Sequence, residues 1–184
     1  EKYDHVKRAI TLENQYRTHT LLGQFVSDSF YKPHNESFNS PLGTTIGRTE
    51  DFFYQNLEGI ENTPAVWIDV KHNALNKEPR SRLCEAKEIM SKLRTWINSN
   101  NGEKLDFGII TFYRDQVNTI EKELKKEFSK EERESFKHRL KIGTVDSFQG
   151  MEFDIVFLSV VRSNDVRKIS DKMKTTRLFG FLIF

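Results

Sequence analysis

Apolar residues recur at helical steps in three stretches of this chain and gather into short continuous runs in four others. Leu21, Leu22, Phe25, Val26 and Phe30 predict an amphipathic helix over 20–31. Leu83, Ala86, Met90, Leu93 and Ile97 predict a second, stopped by the run NSNNG. Val117, Ile120, Leu124 and Phe128 predict a third, starting near residue 114. The continuous runs are AVWIDV (65–70), LDFGIITF (105–112), KIGTV (141–145) and FDIVFLSVV (153–161), each of strand length. Residues 32–63 hold Pro33, Pro41, Gly43, Gly47 and Gly59 among many Asn, Ser and Thr, which is loop composition. SKEERESFKHRLK (129–141) alternates both signs of charge and reads as a solvated helical connection.

Strand, helix, strand, helix, strand, with near-continuous apolar strands, implies an α/β fold: a parallel sheet with helices on both faces. Ligands of such sheets sit at the carboxyl ends of the strands. TFYRDQ (111–116) and TVDSFQG (144–150) both follow strands, so two polar loops are expected on one sheet edge. The second loop is dense in chemistry. Thr144, Asp146, Ser147, Gln149 and Glu152 fall within nine residues, with Gly150 among them, a pattern expected of a loop that holds a ligand.

Composition narrows the classes. The chain has 15 Phe among 184 residues, enough aromatic area to exclude a disordered segment. Its 29 Lys and Arg nearly cancel 27 Asp and Glu, which excludes a strongly basic nucleic-acid arm but leaves room for a basic face. Cys84 is the sole cysteine, so an internal disulfide and a cysteine-built zinc site are both excluded, and the five His have no metal-ligand spacing. No apolar run approaches the ~20 residues that cross a bilayer, and no signal pattern opens the chain. No membrane partner is expected. A reducing cytoplasm is the expected location, or the nucleus in a eukaryote. The closing run RLFGFLIF should be a strand or core segment, so the chain reads as a fragment, incomplete at its C-terminal end.

Three segments, taken in order, resemble one family: the second motor domain of superfamily 1B helicases of the nonsense-mediated-decay and senataxin type. LENQYRTH (12–19) is similar to that family's Q-Y-R-M-H-P motif, and GIITFYRDQV (108–117) to its I-T-P-Y-x-x-Q motif. TVDSFQGMEFDIVFLSVVRSN (144–164) resembles its T-V-D-x-F-Q-G-x-E motif, with the strand and V-R-S-N that follow. The departures are Thr18 for Met, Thr20 for Pro and Phe112 for Pro, none at a charged position.

The resemblance implies a RecA-like domain of the P-loop NTPase superfamily over residues 1–184, with 32–63 an irregular stretch within it. It implies an ATP-dependent helicase or translocase acting on single-stranded RNA or DNA. ATP would bind between this domain and an N-terminal RecA-like domain of the same polypeptide, which would hold most of the Mg²⁺ coordination. No G-x-x-x-x-G-K-[ST] occurs here, so this chain alone is expected to hydrolyse nothing. The alternative is a binding module that keeps the fold without the motor.

Residue by residue, the resemblance implies that Arg17 is an arginine finger for the γ-phosphate, against the common fate of a surface ion pair. Tyr16 would pack on the adenine ring, against an ordinary place in the core, and Gln15 would orient the pair. Glu152 would contact the nucleotide, with Gly150 allowing positive φ or close approach. Thr111, Thr144 and Ser147 would grip nucleic-acid phosphates with Arg114 and Arg162 nearby, though each hydroxyl could equally cap a turn. Asp146 is expected to brace its own loop, and His19 to act as a structural donor.

Overall fold

The computed structural model describes residues 12–16, 18–41, 57–61, 65–70 and 80–161, with the backbone alone at 181–183. Arg17, Arg162 and residues 42–56 lie outside the described residues. The chain divides into two compact units, Glu1–Tyr54 and Gln55–Phe184, and the division falls inside the loop-rich 32–63 stretch.

In the first unit, helix α1 spans Thr20–Val26, continues as a π-helical turn over Ser27–Tyr31, and ends in a 3-10 turn, Lys32–His34. Pro33 brings no N–H for a further turn, and Asn35 closes the segment at φ 58°. The expected helix over 20–31 therefore has the right extent and a looser second half.

Among the described residues, the second unit is built on a five-stranded sheet. Its strands are β1 (Val66–Ile68), β2 (Phe107–Thr111), β3 (Leu140–Thr144), β4 (Ile155–Ser159) and β5 (Phe181–Ile183), in the spatial order β1-β5-β4-β2-β3. β2 pairs in parallel with both β3 and β4, the α/β arrangement that the alternation predicts, and it is RecA-like as the resemblance implies. β5 runs antiparallel to both β4 and β1, so the sheet is mixed rather than wholly parallel. A strand's own apolar run carries no record of its direction, which is why the sequence pattern missed this.

Two long helices, α2 (Leu83–Trp96) and α3 (Arg114–Glu127), cover one face. Register puts Phe107, Ile109 and Thr111 on that face beside Ile155, Phe157 and Ser159. Trp96 stacks on Phe157 with ring centroids 5.6 Å apart, and both are fully buried. Each such side chain removed from water stabilises the fold by roughly 2–3 kcal/mol. On the opposite face the described cover is Phe148 and Phe153, packed 5.2 Å apart over Gly108 of β2.

The mixed-charge connection does contain a helix, α4 (Lys130–Phe136), but not a fully solvated one. Ser129 and Glu132 form a reciprocal capping box, and the buried ring of Phe136 meets Phe128 edge-on at 5.1 Å. Glu132 lies four positions before Phe136, on the same face of the helix, and its carboxylate pairs with Arg94 of α2, so that face of α4 is held at both points.

Candidate functional site

In the first unit, Gln15 organises the Q-Y-R segment. Its Nε2 donates to Thr18 O at 3.0 Å and to Ser40 Oγ at 2.7 Å. Its Oε1 accepts from Thr18 N at 2.9 Å and from Thr18 Oγ1 at 3.2 Å. One carboxamide thus ties down both ends of a short loop that carries Tyr16. Beneath it, Gln15 N donates to Asn39 O at 2.8 Å, and Asn39 N to Glu13 O at 2.6 Å. Tyr16 itself is 52% exposed, so it is not the core tyrosine of the plain alternative.

Two departures from the family motif have local explanations. The Thr18 hydroxyl makes a bond to Gln15 that a Met could not make. Thr20 occupies the first helical position of α1, where Pro is favoured but not needed. Gly23 was missed by sequence reasoning. A Cβ there would collide with Ser40 Oγ and lie 2.7 Å from Gln15 Nε2, so the glycine makes room for the Gln15–Ser40 bond. A glycine inside a helical pattern, costing about 1 kcal/mol against Ala, was the available signal. His19 is buried at the start of α1, and its Nδ1 accepts from Leu21 N at 3.2 Å. At that contact it is an acceptor, not the donor expected, and burial pulls its pKa below 6.5.

In the second unit, the two expected loops do lie on one edge. Thr111 at the end of β2 is in register with Thr144 of β3 and with Ser159 of β4. After Thr144 the chain makes a 3-10 turn, Val145–Phe148. Ser147 Oγ donates to Thr144 O at 2.6 Å, and Gly143 leaves the space for that fold-back, since a Cβ would collide with Ser147 Oγ. Phe148 is the one member of the turn that is buried, and it anchors the loop to the sheet. Asp146 and Ser147 are both exposed, and the side-chain bond that braces the loop is the one made by Ser147.

Gly150 has φ +78°, with open space where a side chain would project, and Glu152 is exposed two residues on. This part of the loop presents backbone and a carboxylate to solvent. Arg114 is exposed at the first position of α3. Thr111 is different: it is 0% exposed, and its Oγ1 has no hydrogen-bond partner among the described residues. Among the described residues, no group of three or more His, Cys, Asp or Glu stands together as a metal site.

Sequence reasoning did not find the polar clasp beneath this edge. Glu85 in the first turn of α2 is 2% exposed. Its Oε2 accepts from Ser159 Oγ at 2.6 Å and from Val161 N at 3.1 Å, while Arg82 Nε stands 3.8 Å from Oε1. Gln116 of α3 donates to Ser159 Oγ at 3.0 Å and to Arg82 O at 3.2 Å, and accepts from Arg82 N at 2.7 Å. The starts of both helices and the end of β4 are thereby joined. Burial pushes the Glu85 carboxyl pKa up, against the opposing pull of Ser159, Val161 and Arg82. Val161 has φ 67°, a left-handed conformation that costs a β-branched residue roughly 1–3 kcal/mol and persists because its N–H is held.

In a mixed α/β sheet, polar loops at the carboxyl ends of adjacent parallel strands stand where such folds bind their ligands. The chain matches the AAA domain family over residues 2–182 and belongs to it. It is 28% identical over 180 residues to the DNA polymerase alpha-associated DNA helicase A of Schizosaccharomyces pombe, a match that covers 91% of this chain and 25% of that protein. It is 29% identical over 165 residues to the regulator of nonsense transcripts 1 homolog of Neurospora crassa, covering 85% of this chain and 14% of that protein. Over 78 residues it is 35% identical to the S. pombe helicase required for RNAi-mediated heterochromatin assembly 1, covering 42% of this chain and 7% of that protein. The chain thus spans a quarter or less of the length of these relatives. Among the described residues, no helix is long and apolar enough to cross a membrane.

Proposed function

We propose that this chain is the second motor domain of an ATP-driven helicase or translocase working on single-stranded RNA or DNA. The observation that carries the reading is the register of Thr111 with Thr144, which sets two of the motif loops side by side on one sheet edge. Likeness to proteins named as helicases supports the same reading.

The residues present suit a nucleotide. Tyr16 offers an exposed aromatic face on a loop fixed by Gln15, and Gly150 leaves open backbone next to Glu152. When bound, ATP supplies the phosphoryl group whose transfer to water drives the cycle. Tyr16 would pack on the base, Glu152 would accept from a nucleotide hydroxyl, and Arg17 would neutralise γ-phosphate charge with a guanidinium that never loses its proton. Mg²⁺ is assigned mainly to a preceding RecA-like domain of the same polypeptide. On the nucleic-acid side, Arg114, Arg162, Thr144, Ser147 and the backbone at Thr111 would grip phosphates, which fixes position without reading sequence. A cytoplasmic or nuclear location belongs to the same proposal.

The test is ATP hydrolysis by the full-length polypeptide, with and without single-stranded RNA and DNA, for wild type and Arg17→Ala. Stimulation by one strand type with a loss of at least about 100-fold in the variant is the expected result. No hydrolysis by the wild type under any condition overturns the motor.

A further inference from the structure

We propose that Phe112 is a stacking platform for an unpaired nucleobase, a reading that rests on the motor-domain assignment above. Phe112 lies on the two-residue connection between β2 and α3, at the carboxyl edge of the sheet, and is 56% exposed. Its ring is in none of the aromatic pairs among the described residues, which are Tyr31–Phe38, Trp96–Phe157, Phe128–Phe136 and Phe148–Phe153. Phe148 and Phe153, over Gly108 of β2, are instead packed on each other.

The exposure is built in rather than a product of slack chain. Before Phe112, Thr111 is fully buried and in register with strands on both sides. After it, Tyr113 O accepts from Gln116 N at 3.0 Å and from Val117 N at 3.2 Å, which starts α3 at once. Gln116 is in turn locked to Arg82 and Ser159. With both flanks fixed, the connection is too short to fold the Phe112 ring into the core, so the apolar face is presented to solvent on a rigid mount.

Its surroundings suit a single strand. Arg114 is exposed two residues on, and the neighbouring β3 loop presents Val145, 45% exposed, and Ser147. An apolar π-face beside a guanidinium and a hydroxyl matches a base with its phosphate. Stacking tolerates any base, because every base has a π-face. The motif that this segment resembles has proline here, so the aromatic ring is a feature of this chain.

The test measures binding of the full-length polypeptide to two labelled oligonucleotides of equal length, one a normal single strand and one abasic. Phe112→Ala and Phe112→Leu should each weaken binding to the normal strand about tenfold or more, and binding to the abasic strand less than about twofold. Arg114→Ala should weaken both. Phe112→Trp should bind as the wild type does and show fluorescence quenching on the normal strand beyond that of the wild type. Equal losses on both strands, no loss on either, or an unquenched Phe112→Trp overturns the platform. If strands bind with this pattern but do not stimulate hydrolysis, the motor reading fails and the platform stands. A wild type that binds neither oligonucleotide overturns both.

Discussion

The carboxylate of Glu85 accepts from the hydroxyl of Ser159 at 2.6 Å, joining the first turn of α2 to the last residue of β4. The same oxygen holds Val161 N, so one side chain satisfies two donors at a buried strand end. Removing it strands both donors and frees a strained residue. Glu85→Ala should therefore cost about 2–5 kcal/mol, and Glu85→Gln, which keeps an acceptor, about 1 kcal/mol. Urea unfolding of the purified chain measures both, and equal costs would show that acceptor chemistry is not what Glu85 contributes.

The pH dependence of this contact has a definite sign. The folded carboxyl titrates above its ordinary value of 4.5 because it is buried. Between that value and the higher folded one, the folded state retains a proton that the unfolded state has released. The stability contributed by Glu85 is thus full below pH 4.5 and is lost as pH rises through the folded pKa. The difference in stability between wild type and Glu85→Gln should shrink as pH rises from 4.5 and then level off. Urea midpoints across roughly pH 4 to 8 would show it.

His19 has the opposite sign. Its folded pKa lies below 6.5, so its contribution is present above that value and is lost as pH falls through the folded pKa. Protonation also removes the Nδ1 acceptor from Leu21 N. Exchange of the Leu21 amide should quicken in the wild type as pH falls below 6.5, after correction for intrinsic rates. In His19→Asn, an N-cap with no titrating ring, it should stay level.

Gly23→Ala separates helix propensity from site geometry. Alanine favours the helix by about 1 kcal/mol, yet its methyl would strike Ser40 Oγ and crowd Gln15 Nε2. We expect hydrolysis by the full-length polypeptide to fall about tenfold or more, close to the loss in Gln15→Ala, because both free the Tyr16 loop. A kcat within twofold of wild type would remove the Gln15–Ser40 bond from the working site.

Periodicity placed the long elements well: β2 and α3 differ from their predicted spans by two residues or fewer at each end. It failed where a polar residue occupies an apolar stripe. On α2 the pattern chose Leu83, which is 37% exposed, and passed over Glu85, four residues before the buried Ile89. A carboxylate on that stripe was a signal that apolar counting discards. Arg139 was hidden in the same way within the charged connection. Its guanidinium donates to the carbonyls of Ile97, Gly102 and Leu105, closing the end of α2, although its neighbours in sequence suggest only solvent. At the site, composition identified the loops, but which hydroxyl faces solvent depends on register: Ser147 is exposed and Thr111 is not.

The antiparallel β5 also sets the order in which this unit can be completed. β1 reaches the rest of the sheet through β5, and β5 comes from residues 181–183, more than a hundred positions later in the chain. A nascent chain leaving the ribosome can pair β2, β3 and β4 as soon as they emerge, but β1 must wait for β5. Until then one edge of β4 stands open, a row of unpaired backbone groups that invites pairing with another chain. Translation that pauses before Phe181 would prolong that interval, so synthesis speed near the end of this segment bears directly on how much of the protein escapes aggregation.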